Sequence, residues 1–114
     1  MLFRSAREFK IPFDFDSDYL TLHTTRIVGE AARIAKLVNA AKIEVKGYRA
    51  TTWLSNGQKI IEAESIAEMR AKKIGEILTG LGLATVNVSW KTAPEPGDGV
   101  NDAQQRRVTI SFIP

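Results

Sequence analysis

The chain reads as an α/β protein, a two-layer sandwich in which a four-stranded mixed sheet is covered on one face by two helices, in the order β-α-β-α-β-β. Three observations predict this. Four segments alternate apolar and polar residues with the period of a half-buried strand, and none is the continuous apolar run of a strand buried on both faces. Two intervening segments, near 21–40 and 63–79, repeat apolar residues at three- and four-residue steps, the period of an amphipathic helix. Gly, Pro, Asn and Asp mark the connections, and the 114 residues make one layered domain without an internal linker or repeat.

The first strand spans residues 8–15 and sets Phe9, Ile11, Phe13 and Phe15 on one face. Pro12 cannot donate to a ladder, which predicts an edge position. Asp16, Ser17 and Asp18 supply a turn. The first helix starts near Thr21 to Thr24 and ends around Ala40. Ile27, Ala31, Ile34, Val38 and Ala41 face inward, Ala35 and Leu37 flank them, and Arg26, Arg33 and Lys36 face out. Arg26 and Glu30 are spaced for an i,i+4 pair.

The second strand, 42–48, turns Ile43 and Val45 inward, and Gly47 either weakens it or lets another backbone approach closely. A loop from Arg49 to about Glu62 carries Asn56-Gly57 between Thr51-Thr52-Trp53-Leu54 and Gln58-Lys59-Ile60-Ile61, the signature of a small hairpin. Trp53 is either an anchor tucked onto the domain or an exposed contact for glycan or a partner. The second helix runs from about Ala63 or Glu64 to Thr79, with Gly80 and Gly82 just past its end as stops. Val86, Val88 and Trp90 alternate along a third strand, and residues 92–104 form a loop with Pro94, Pro96, Gly97 and Gly99. The last strand, Arg107 to Ile113, turns Val108, Ile110 and Phe112 inward.

Composition narrows the function. The net charge of +3 and pI near 9.4 come from interspersed charges without a Lys/Arg run, which fits a solvated surface, with attraction to an anionic polymer as the other reading. With no Cys, disulfides and thiolate chemistry are excluded, and His23 as the only imidazole argues against a zinc site. His23 near a helix start reads as a surface or capping-region residue rather than a catalytic one. No nucleophile–base set, phosphate loop or metal cluster is present, so neither an enzyme nor a cofactor is expected. Glu44, Lys46, Asn87 and Ser89 at the outward strand positions offer no stacking platform for nucleic acid. No stretch approaches the ~20 apolar residues of a membrane span, and Met1-Leu2-Phe3-Arg4 does not open a signal peptide. Any membrane tether is therefore expected outside the chain.

Arg70 stands out on the second helix. Stepping ~100° per residue from Ile66 puts Met69, Ile74, Ile77, Leu78 and Leu81 on one half of the wheel. Arg70 falls near the middle of that half and close to the helix N-terminus, where the macrodipole disfavours a cation. An anionic ligand is one reason for such a guanidinium. An arginine that snorkels across the stripe to a carboxylate at the core edge is the other.

Four stretches then match a family. Phe13-Asp14-Phe15-Asp16-Ser17-Asp18-Tyr19-Leu20, Ile43-Glu44-Val45-Lys46-Gly47-Tyr48, Ile66-Ala67-Glu68-Met69-Arg70-Ala71 and Gln105-Arg106-Arg107-Val108-Thr109-Ile110 occur in the order of the peptidoglycan-binding domain of the OmpA C-terminal region, the Pal lipoprotein and MotB. The chain resembles that family over roughly residues 9–113, with 8–114 as the domain and 1–7 as a linker or remnant. The resemblance implies a non-catalytic periplasmic domain of a Gram-negative envelope, anchoring a stator, secretion or other assembly to the cell wall, as a homodimer or part of a larger complex. A fold kept for structure or oligomerisation, with weak or no wall binding, is the alternative.

In the family an Asp after Gly-Tyr and the Arg of the Arg-Ala motif grip diaminopimelate in the peptide stem. Arg takes a carboxylate bidentately and Asp takes the ammonium. Carried onto this chain, the peptidoglycan-binding positions are Tyr48, Arg49, Ala50, Ala63, Ser65, Arg70 and Arg106. An Arg pair such as Arg106-Arg107 at a strand entry is also commonly structural. Two positions depart from the pattern: Ala50 stands where the family has its Asp, and Ala63 where it has an Asn. Losing the charged hydrogen bond from the Asp costs ~1.5–3 kcal/mol, on the order of 10- to 100-fold in affinity. Glu62, Glu64 and Asp102 are the candidate replacement acids.

Overall fold

Ile43 and Val45 are fully buried while Glu44 and Lys46, which alternate with them, reach the surface, so the second strand is apolar on one face only. That pattern organises the whole main sheet. The computed structural model describes residues 8–83, 87–93, 95–97 and 105–113. Its elements are β1 (Glu8–Pro12), α1 (Leu22–Leu37), β2 (Lys42–Gly47), β3 (Thr51–Trp53), β4 (Lys59–Ile61), α2 (Glu64–Leu78), β5 (Asn87–Thr92) and β6 (Arg107–Ile113).

The main sheet is four-stranded in the order β1-β6-β2-β5; β6 runs antiparallel to both its neighbours and β5 parallel to β2. This is the expected mixed sheet, with the Pro12 strand at one edge. Ile11, Ile43, Val45, Val108, Ile110 and Phe112 form its inner face against Val28, Ala31, Ala32 and Ala35 of α1 and Ala71, Ile74 and Leu78 of α2. The other face carries polar partners such as Glu44 and Lys91, whose carboxylate and ammonium are 3.2 Å apart.

Several boundaries moved for physical reasons. β1 stops at Pro12 instead of running to Phe15: Phe13 is still buried, but the chain then turns, leaving Phe15 exposed. That turn delivers two main-chain carbonyls to Arg70. The inner face of α1 is rotated from the expected one, with Thr24, Val28, Ala31, Ala32 and Ala35 buried. Its small alanines let the helix lie close to the sheet, Ile27 and Ile34 flank them, and Val38 and Ala41 fall beyond the last helical residue. Asn39 ends this helix in the left-handed region (φ 51°), a conformation Asn tolerates well. Glu30 pairs with Arg33 rather than Arg26, through Nε–Oε1 at 3.0 Å and Nη2–Oε2 at 2.6 Å. The Arg33 guanidinium holds the Glu30 carboxyl below its ordinary range.

Met69 on α2 and Leu81 beyond its end are exposed rather than inward, and the buried stripe of α2 is Ile66, Ala67, Arg70, Ala71, Ile74, Gly75 and Leu78. Small residues dominate one side of that stripe because α2 packs directly on the end of β2. The Asn56-Gly57 hairpin forms as expected: β3 and β4 pair antiparallel, Thr51 opposite Ile61 and Trp53 opposite Lys59, as a separate two-stranded sheet. Val86, and the loop residues 94 and 98–104, lie outside the described residues. Among the described residues no helix is long and apolar enough to cross a membrane.

Candidate functional site

The site is built where the turn after β1, the end of β2, the base of the β3–β4 hairpin and the start of α2 converge. Gly47 makes the convergence possible. A Cβ there would lie 2.0 Å from the Ala67 carbonyl oxygen, so only glycine lets the first turns of α2 rest on the end of β2. This places Arg70 beside the Tyr48 carbonyl.

Arg70 is completely buried, and each of the five N–H groups of its guanidinium has an acceptor. Nε donates to the Ser17 carbonyl at 2.8 Å, Nη1 to the Tyr48 carbonyl at 2.9 Å, and Nη2 to the Asp14 carbonyl at 2.9 Å. The remaining two N–H groups fork onto Glu62: Nη1 to Oε1 at 2.9 Å, and Nη2 to Oε2. The guanidinium carbon also lies 5.1 Å from the centre of the Phe13 ring. The cation that the helical wheel flagged on an apolar stripe is thus fully solvated by the protein itself.

Glu62 is equally enclosed, with no exposed side-chain surface. Oε1 also accepts the Ala50 N–H at 2.8 Å, and Oε2 the Asp16 N–H at 2.5 Å. Asp16 makes its contact from a left-handed backbone (φ 52°) and accepts the Ala63 N–H on its own Oδ1 at 2.9 Å. Four N–H groups therefore converge on one carboxylate, two from a planar fork and two from the main chain. This is the geometry with which proteins recognise a carboxylate ligand, and here the carboxylate is internal.

The other positions singled out in the sequence are distributed around this pair. Tyr48 supplies its carbonyl, while its ring stacks under Arg107 at 4.0 Å and Lys46 at 5.3 Å. Arg49 Nη1 donates to the Glu62 carbonyl at 3.2 Å. Ala50 contributes its N–H, and its side chain is fully buried. Ala63 caps α2 without a side-chain bond, and Glu64 and Ser65 are exposed on the first turn of the helix. Arg106 Nε donates to the Phe13 carbonyl at 3.1 Å, holding the strand that leads into the turn. Of the three candidate acids, the structure brings Glu62 to Arg70; Asp102 lies outside the described residues. Asp14, Asp16 and Ser17 were not singled out as site residues, because each reaches the Arg70–Glu62 pair through a main-chain group. The signal for Asp16 and Ser17 is the Asp16-Ser17-Asp18 cluster that marks a tight turn. Trp53 projects from the hairpin at 55% exposure, with the Lys59 ammonium 5.6 Å from its ring centre.

No family model matches the chain. A curated relative, an outer membrane protein of Gluconacetobacter diazotrophicus, is 29% identical over 112 residues, covering 92% of this chain. The chain spans only 30% of that relative's length. Among solved structures, the OmpA-like domain of FopA1 from Francisella tularensis superposes with a TM-score of 0.66 at 18% identity, covering 93% of this chain and 71% of that one. The periplasmic domain of Helicobacter pylori MotB gives 0.70 at 19% identity, covering 98% and 76%. The peptidoglycan-associated lipoprotein of Burkholderia pseudomallei gives 0.68 at 18%, covering 90% and 88%. The chain is an α/β domain with the OmpA-like fold, the architecture of the MotB and Pal domains.

Proposed function

We propose that this chain is a non-catalytic periplasmic domain of a cell-envelope assembly, located at the cell wall. In the closed state it serves as a structural or docking module with weak or no peptidoglycan binding at Arg70. The observation that carries this reading is the Arg70–Glu62 pair. A guanidinium whose five donors are all in use inside the protein offers nothing to a stem-peptide carboxylate. Ala50, at the position where the family resemblance implies an Asp for the diaminopimelate ammonium, leaves that charge without a partner as well. The envelope location is supported by fold likeness to a peptidoglycan-associated lipoprotein and a periplasmic MotB domain, and by the outer-membrane relative.

Anchoring through the peptide stem is the second reading, and the fork geometry favours it: Arg70 is already shaped around a carboxylate. That reading requires Glu62 to leave first. If the open form is ~1% of the population, apparent affinity falls ~100-fold below the intrinsic value.

Pulldown of the wild-type domain on purified sacculi separates the two. Retention about tenfold or more below that of a peptidoglycan-associated lipoprotein of the same fold is expected. Equal retention, competed away by free diaminopimelate, overturns the structural reading. Arg70→Ala is unsuitable as the negative control, because it removes the guanidinium that pairs with buried Glu62.

A further inference from the structure

The sheet face turned away from the helices carries mostly cations. Strand register puts Lys10, Lys46 and Lys91 in one row across the sheet, with Thr109 between the first two. Arg107 lies on the same face one row further along β6, and Lys42 at the other end of β2. Against these stand Glu8 and Glu44, leaving an excess of three positive charges among the described residues of the four strands on this face. The Glu44 carboxylate is already committed to Lys91 at 3.2 Å.

The cations are concentrated at one end of the face. The Arg107 guanidinium carbon is 4.0 Å and the Lys46 ammonium 5.3 Å from the centre of the same Tyr48 ring. Lys10 and Lys91, in the row of Lys46, are exposed. Like charges gathered in this way sum to a positive potential that draws anions from solution.

The make-up of the face selects the partner. Its cations are lysines with the single exception of Arg107, and Ser89, Thr109 and Ser111 lie among them. The centres of protein–protein interfaces are depleted in Lys and Ser and are anchored by aromatic residues and Arg. Here the aromatic ring of Tyr48 is covered by Arg107. Short Ser and Thr side chains raise no wall around a single bound anion. Lysines are point charges on flexible stems, suited to anions spread over a plane.

We infer that this sheet face docks on an anionic phospholipid surface, with Lys10, Lys46, Lys91 and Arg107 meeting headgroup phosphates. Attachment is electrostatic and peripheral, without insertion into the acyl layer. It goes beyond the function proposed above, because it makes no use of the buried Arg70–Glu62 pair.

Co-sedimentation with vesicles of phosphatidylglycerol and phosphatidylethanolamine, in a ratio of about 3:7, tests the surface. Half-binding is expected at lipid concentrations on the order of millimolar in about 50 mM NaCl. No binding is expected to phosphatidylcholine vesicles, or to the anionic ones in 1 M NaCl, where the Debye length is about 3 Å. Each lysine near the surface is worth about fivefold, so Lys10→Gln with Lys46→Gln is expected to weaken binding about 25-fold. Lys36→Gln with Lys72→Gln removes the same charge from exposed positions on the helices and is expected to change binding less than about threefold.

Absence of binding to the anionic vesicles at low salt overturns the surface. So does an equal loss in the two double variants, which makes net charge and not this face the cause. Tighter binding to soluble poly-glutamate than to the vesicles overturns lipid as the partner. Strong retention on sacculi overturns the proposed function and leaves this surface standing, while failure on vesicles does the reverse.

Discussion

Arg70→Ala is expected to cost about 3–5 kcal/mol, the range for breaking a buried ion pair from one side. The substitution leaves the Glu62 carboxylate in a site with no exposed surface and without its forked guanidinium partner, and strands the carbonyls of Asp14, Ser17 and Tyr48. Native domains of this size are stable by roughly 5–15 kcal/mol, so the loss takes a large share of the whole. Urea denaturation followed by far-UV circular dichroism reads it directly. Arg70→Lys separates charge from shape. It keeps a cation opposite Glu62 but has three donors in place of five, without the planar fork, and is expected to lose about 2 kcal/mol. An Arg70→Ala variant as stable as wild type contradicts the network.

Gly47→Ala is the second large effect, expected to lower stability by about 3 kcal/mol and Tm by roughly 10–20 °C. Backbone conformation is not the cause. The added Cβ meets the Ala67 carbonyl oxygen at 2.0 Å and the Ala71 Cβ at 3.0 Å, and a helix backbone cannot step aside like the end of a flexible side chain. Relief requires α2 to lift from β2, which also draws Arg70 away from the Tyr48 carbonyl. Thermal unfolding measures the loss, and a Tm within a few degrees of wild type contradicts this account of the close packing. By contrast, Gly29 faces open space in the middle of α1, and alanine there carries no such clash.

The layers of the fold were legible because strand and helix periods are properties of single segments. The alternation of Ile43 and Val45, or of Val108, Ile110 and Phe112, survives any tertiary detail. The Pro12 edge and the Asn56-Gly57 hairpin were legible for a similar reason: each is local chemistry at one or two residues. The inner faces of the helices were read less well. Alanines on both helices, and Gly75 on α2, share the inward positions with Val28, Ile66, Ile74 and Leu78, while Met69 and Leu37 lie at the surface. A wheel that ranks residues by hydrophobicity underrates small ones where backbones approach closely.

Arg70 was legible as an oddity, and its surroundings were not. Four of its neighbours act through the main chain: the carbonyls of Asp14, Ser17 and Tyr48 on Arg70, and the N–H of Asp16 on Glu62. Every residue carries those groups, so no residue type announces them. Glu62 was one of three candidate replacement acids, with Glu64 and Asp102. Which one meets Arg70 depends on how the hairpin between Ala50 and Glu62 closes, a tertiary fact. The helical wheel and the resemblance both pointed to Arg70, while the chain's own hairpin supplied what fills the space in front of it.

The central claim is that the Arg70 guanidinium is closed off by Glu62 in the resting protein. Nitrogen-15 NMR of the arginine side chains tests it most directly, through the exchange of guanidinium protons with water. Arg26 and Arg33 lie exposed on α1 and serve as internal references. The account predicts that the Arg70 Nε–H and Nη–H protons exchange at least about 100-fold more slowly than those of Arg26, and that this protection disappears in folded Glu62→Ala. Exchange of Arg70 at the rate of Arg26 in wild type contradicts it.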